Sequence, residues 1–182
     1  MSTITIEGFI NDNLIKRIPQ KATLQVMVDT PELKYLSFIV MTSAIEFLGA
    51  CLDSKDFHVG GRSKFRFELA IKKLGAFSGY KSYISGGGSG YDLFAELRCG
   101  MVHAALPKPN IELTERADKV CREMNMQVVQ LQNRKNPRII LVCEDLYDDI
   151  SRAETEVIAE LKNPGKYYHN AIDPFMLTDI EI

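Results

Sequence analysis

The stretch LKYLSFIVMTSAIEFLGACL, residues 33 to 52, decides the fold class of this 182-residue chain. Thr30 is a suitable N-cap, Pro31 stands at the first helical position, and apolar residues then recur at helical spacing. The pattern predicts a helix over residues 31 to 53. Two charged and three Ser or Thr side chains interrupt the stretch, which makes it too polar for a membrane span. We interpret it as the core helix of a mainly α protein.

Three further helices follow from apolar periodicity and from the residues that start and stop helices. Ser63 can cap a helix over residues 63 to 77, because apolar side chains recur behind it. A glycine-rich turn precedes a helix over residues 90 to 105, which ends before Pro107. A last helix over residues 145 to 162 stops at an Asn-Pro-Gly sequence.

One segment has the composition of β-structure. QVVQL and RIILVC are runs of strand length, separated by residues that favour turns, so a hairpin is predicted over residues 127 to 143. The predicted fold class is therefore mainly α: a helical bundle with a small β-hairpin. We expect a single domain over residues 1 to 182, with a core from about 31 to 162. Residues 1 to 30, interpreted as short strands or loop, and the irregular residues 163 to 182 would be peripheral.

Composition limits the classes of partner. The chain is 46% hydrophobic and 25% charged, with a formal net charge of -2. A protein that binds nucleic acid mainly by long-range attraction usually has a basic excess, so any such contact here must be local. The first residues lack a long apolar run and include acidic side chains, which disfavours a signal or transit peptide. These features predict a cytoplasmic protein without a membrane partner.

Metal and cofactor motifs are not evident in the sequence. The four cysteines include no CxxC pair, the three histidines lack the spacing of metal ligands, and the glycine turn lacks the lysine of a P-loop. These cysteines and histidines are Cys51, Cys99, Cys121, Cys143, His58, His103 and His169. We predict no metal and no cofactor, and we interpret the cysteines as small buried apolar residues.

The segment RCGMVH, residues 98 to 103, contains the strongest candidates for chemistry. Arg98 could stabilise charge on a phosphate, and His103 could exchange protons near neutral pH. Five helical residues rotate about 500°, so the two side chains start about 140° apart and need a helix end, the reach of long side chains or a second subunit to converge. Alternatively, Arg98 pairs with Glu46 and His103 caps the helix end. Cys99 and His103 could form a nucleophile pair, but packing explains this cysteine more simply.

This motif resembles that of the HEPN superfamily, in which an arginine precedes a histidine by a few residues in a late helix of a helical bundle. The similarity is greatest to bacterial relatives with a sequence like LRNGLVH. The matching residues are Leu97, Arg98, Gly100, Val102 and His103, followed by Pro107 and Pro109. Weaker similarity covers IEFLG, residues 45 to 49, and EDLYDDI, residues 144 to 150, so the resemblance spans about residues 33 to 162.

The resemblance implies a homodimer whose paired motifs cleave RNA without a metal. Arg98 would hold the scissile phosphate, and His103 would be the general acid or base. Active members usually have a polar residue after the arginine, where this chain has Cys99. Two hypotheses follow. We favour a non-catalytic dimeric binding module, with RNA or a nucleotide as a candidate ligand; the alternative is a metal-independent endoribonuclease that uses Arg98 and His103.

Overall fold

The computed structural model describes residues 21–55, 57–132 and 134–161, and it is mainly helical with a small sheet. The α-helices are α1 (Lys21–Asp29), α2 (Pro31–Leu52), α3 (Ser63–Lys73), α4 and α5 (Cys143–Leu161). Helix α4 comprises a π-helical segment, Phe94–Arg98, that continues as an α-helix, Cys99–Ala104. Two 3₁₀ segments, Gly75–Tyr83 and Arg122–Met124, and the strands β1 (Ile111–Thr114), β2 (Val128–Val129) and β3 (Arg138–Val142) complete the described elements. The predicted fold class is confirmed.

Helix α2 is central to the fold and contacts α1, α3, α4 and α5. Pro31 begins it, as expected, and its C-terminal half is mostly buried. Among the described residues, α2 is the one helix whose length and mean hydropathy of 1.7 would suit a membrane span. In its most apolar window, however, 61% of the residues are buried inside the protein. Its apolar composition is thus largely explained by the core that it forms.

Helices α2 and α3 approach each other closely at a glycine. A Cβ atom at Gly49 would lie 1.7 Å from the backbone oxygen of Arg66, so only glycine allows this approach. Just beyond α2, the Asp53 carboxylate is buried and accepts hydrogen bonds from Arg62 Nε at 2.6 Å and Arg66 Nε at 3.1 Å. The two helices are therefore joined by backbone contact and by a buried ionic cluster.

The sheet has the strand order β1-β3-β2 and contains both parallel and antiparallel pairs. Strands β2 and β3 pair antiparallel, with Val128 opposite Ile139, so the predicted hairpin is present. Strand β1 pairs parallel to β3, with Ile111 also opposite Ile139. The sequence pattern predicts no strand at Ile111–Thr114. Four residues after a proline-rich loop are too few for a clear periodic signal, and pairing with the buried strand β3 is what orders them.

The prediction of short strands or loop, peripheral to the core, is wrong for residues 21–29. They form helix α1, whose Leu24 and Val28 are buried in the main core. Its β-branched residues weakly disfavour a helix, but packing against α2 and α5 outweighs this preference. The other interpretations of the two termini fall on residues 1–20 and 162–182, which lie outside the described residues.

Two predicted helix boundaries also differ. The helix predicted over residues 63 to 77 ends at Lys73, because Leu74 adopts an extended conformation before the 3₁₀ segment Gly75–Tyr83. The Glu156 carboxylate of α5 accepts hydrogen bonds from the first two N–H groups of that segment. Helix α4 begins at Phe94 rather than at residue 90, since the preceding glycine turn has residues with positive φ. Both differences depend on local backbone conformation, which periodicity does not report.

Candidate functional site

The start of α4 is fixed by an acidic cap. The Asp92 carboxylate accepts a hydrogen bond from the Ala95 N–H at 3.1 Å and another from Lys64 Nζ at 2.7 Å. Burial alone would raise the pKa of Asp92, but these hydrogen bonds and the Lys64 charge bring it below its usual value. The protein's own carboxylate occupies this helix N-terminus, so the glycine turn is better explained as a connection than as a phosphate cradle.

The end of α4 is fixed by close contact between backbones. A Cβ atom at Gly100 would lie 2.6 Å from the Leu106 backbone oxygen, so the proline loop packs directly on the helix. Ala105 has a left-handed conformation with φ 51°, and its N–H bonds to the Met101 oxygen at 3.1 Å. The Lys108 N–H also bonds back to the Glu96 oxygen at 2.9 Å. The motif is therefore carried on a short, firmly positioned helix.

Arg98 forms the ion pair with Glu46 that the sequence analysis had offered as its alternative. Its Nε and Nη2 atoms lie 2.9 and 2.7 Å from the same oxygen, Glu46 Oε2. The guanidinium also lies 5.5 Å from the centre of the Phe94 ring. The two side chains are 16% and 21% exposed, so the pair is half-buried. The pair joins α4 to α2.

His103 lies in the last turn of α4, and its side chain is exposed. The helix end is closed by the backbone N–H groups of Ala105 and Leu106. Within the described ranges, no hydrogen bond or ion pair joins the His103 side chain to another residue, so its predicted role as a cap is not seen. Arg98 turns towards Glu46 on α2, and the His103 side chain takes no part in that pair.

The cysteines are free thiols, and three of the four are buried. Cys99 is half-buried, while burial raises the pKa of Cys143 to about 11. Cys143 lies beside the Ser37 hydroxyl, with 3.2 Å between Sγ and Oγ. In the part of the chain that the structure describes, no group of three or more His, Cys, Asp and Glu side chains is arranged to hold a metal ion.

A polar cavity of about 600 Å³, which the sequence analysis had not identified, lies where α5 meets the segment after β1. Its acidic residues come from the DLYDD segment of α5, and each is paired within the protein. Arg116 binds Asp145 and Asp148, and Arg152 binds Asp149, which also accepts a 2.7 Å hydrogen bond from the buried Tyr80 hydroxyl. The spacing of these aspartates in the sequence could have placed them on one side of a helix. Because each of them is paired with an arginine, we interpret the cavity as a structural feature and not as a catalytic site.

No family model, curated protein or solved structure matches this chain. The HEPN resemblance therefore remains a prediction that rests on the motif around Arg98 and His103.

Proposed function

We propose that this protein is a non-catalytic helical interaction module that forms a homodimer. The observation that supports it best is the Arg98–Glu46 pair. A catalytic arginine must offer its charge to the substrate, whereas two donors of Arg98 are directed at a carboxylate of its own chain. Cys99, in place of the usual polar neighbour, agrees with this proposal.

The surface around this pair has the character of a contact surface. Leu36, Ile39 and Val40 precede Glu46 on α2, and each of them is partly or fully exposed. Val102, one turn beyond Arg98, and Leu106 are exposed on α4 and the loop after it. We call these five apolar residues, together with the Glu46–Arg98 pair, the motif face. This surface is apolar and exposed, and its two charges, Glu46 and Arg98, neutralise each other. Such a surface suits association with another protein surface.

We expect Val102→Glu to convert the dimer to a monomer, because the change introduces a desolvated, unpaired charge at the interface. Mass measurement by light scattering across a concentration series tests this. Val128→Glu is the matched control: Val128 is 42% exposed against 38% for Val102, but it lies on β2, away from the motif face. A wild-type protein that remains monomeric at all concentrations, or a Val102→Glu variant that remains dimeric, would contradict the proposal.

The second candidate function is a metal-independent endoribonuclease, and the exposure of His103 favours it. If RNA is cleaved, His103→Ala should abolish cleavage without affecting folding, and EDTA should have no effect. Products should end in a 2′,3′-cyclic phosphate or a 3′-phosphate, because a histidine and not a metal-bound water transfers the proton. A purified wild-type protein that cleaves no RNA between pH 6 and 8 would favour the module, and Cys99→Asn would then test whether a polar neighbour restores activity.

A further inference from the structure

The Arg98–Glu46 pair has the geometry of an anion site that is already filled. Two donors of the guanidinium, Nε and Nη2, converge on one oxygen, Glu46 Oε2. An arginine can direct the same two N–H groups at the oxygens of a bound phosphate, where each usually meets its own oxygen. We propose that Glu46 is an internal anion that occupies the position where Arg98 would otherwise bind a phosphate group, so that the motif face excludes RNA. This deepens the proposed function, because it explains why the motif face would accept protein rather than nucleic acid.

The surroundings of Arg98 favour this role over a purely structural one. Both side chains are mostly buried, so loss of the pair should cost some stability, but other contacts also hold Arg98 and its helix in place. The Phe94 ring contacts the guanidinium independently of the carboxylate. The same helix is also held by its Asp92 cap and by the backbone contact at Gly100. Arg98 should therefore keep its position when Glu46 loses its charge.

Glu46 determines the net charge of the surface around Arg98. Lys64 is within electrostatic reach of Cys99, the residue after Arg98, but Lys64 is itself paired with Asp92. Removal of the Glu46 charge would leave the Arg98 guanidinium unneutralised. An unneutralised guanidinium is a group that the phosphate backbone of single-stranded RNA would bind.

The test measures binding of a fluorescent single-stranded oligouridylate by anisotropy at low and high salt. We expect Glu46→Gln to bind the RNA on the order of tenfold more tightly than wild type, which corresponds to the effect of about one well-placed charge. The gain should disappear in the Glu46→Gln/Arg98→Gln double variant and weaken at high salt. Glu32→Gln, an exposed change of the same kind at the start of α2, should bind like wild type.

The outcomes separate this inference from the proposed function. A folded Glu46→Gln variant that binds no more tightly than wild type would overturn the inference, as would an equal gain in Glu32→Gln or in the double variant. If Glu46→Gln does not fold, Glu46→Ala serves in its place, since it also removes the charge beside Arg98; unchanged RNA binding by a folded Glu46→Ala variant would also overturn the inference. The proposed function fails by a different measurement, namely the mass of the wild-type and Val102→Glu proteins.

Discussion

Replacement of Gly49 by alanine should destabilise the protein by about 3 kcal/mol or more, the upper range for overpacking of a core. The added Cβ atom would lie 1.7 Å from the Arg66 backbone oxygen, which cannot rotate away as a side chain could. Helices α2 and α3 would have to separate along their contact. Chemical denaturation of the wild-type and variant proteins measures the loss directly.

Gly79→Ala is the control for this change, because a Cβ atom there would meet no atom within 4 Å. Its stability should equal that of wild type or increase slightly, since alanine restricts the unfolded chain. If Gly49→Ala were as stable as this control, the close approach of α2 and α3 would be wrong.

Asp53→Asn should cost about 3 kcal/mol, the loss typical when one partner of a buried ionic cluster is removed. Asp53 is only 1% exposed and neutralises both Arg62 and Arg66, of which Arg66 is also buried. The amide keeps the shape of the side chain but removes the negative charge that Asp53 offers to both guanidinium groups. Denaturation at neutral pH measures the loss, and Asp148→Asn, at a solvent-exposed pair with Arg116, should change stability far less.

The same variant should alter the acid dependence of stability. Burial alone would raise the pKa of Asp53, but the hydrogen bonds from Arg62 and Arg66 bring it below the usual value. The folded state thus favours the charged carboxylate, and the stabilisation is complete above the unfolded pKa of about 3.9. It is lost as the pH falls through the lower folded pKa. Asp53→Asn should lack this part of the acid transition, and an unchanged pH profile would contradict the assignment.

Two kinds of feature could be predicted from the sequence: elements whose residues repeat at a regular spacing, and contacts of a residue that would be costly to bury without a partner. Periodicity located α2, α3, α4 and α5, and turn residues located the hairpin. The Arg98–Glu46 contact was predictable because a carboxylate in an apolar helix requires a partner. A specific long-range contact could thus be inferred from one unusual residue.

Features that depend on distant packing could not be predicted in this way. The parallel strand β1 needs β3 beside it, and α1 needs α2 and α5 to outweigh its weak helix preference. Gly49 is an ordinary residue in the sequence, and only the position of Arg66 shows why a side chain is excluded. The exposure of His103 likewise depends on how the loop after α4 folds back, which the two prolines alone do not determine.

The mixed pairing of the sheet also predicts an order of assembly. Val129 and its partner Arg138 on β3 are nine residues apart, whereas Ile111 and its partner Ile139 are 28 residues apart. Closure of the longer loop costs about 1 kcal/mol more in chain entropy, so the β2–β3 hairpin is the cheaper first step. Strand β3 then continues into α5 without a connecting loop. We therefore expect the local hairpin to set the direction in which α5 starts before β1 joins the sheet.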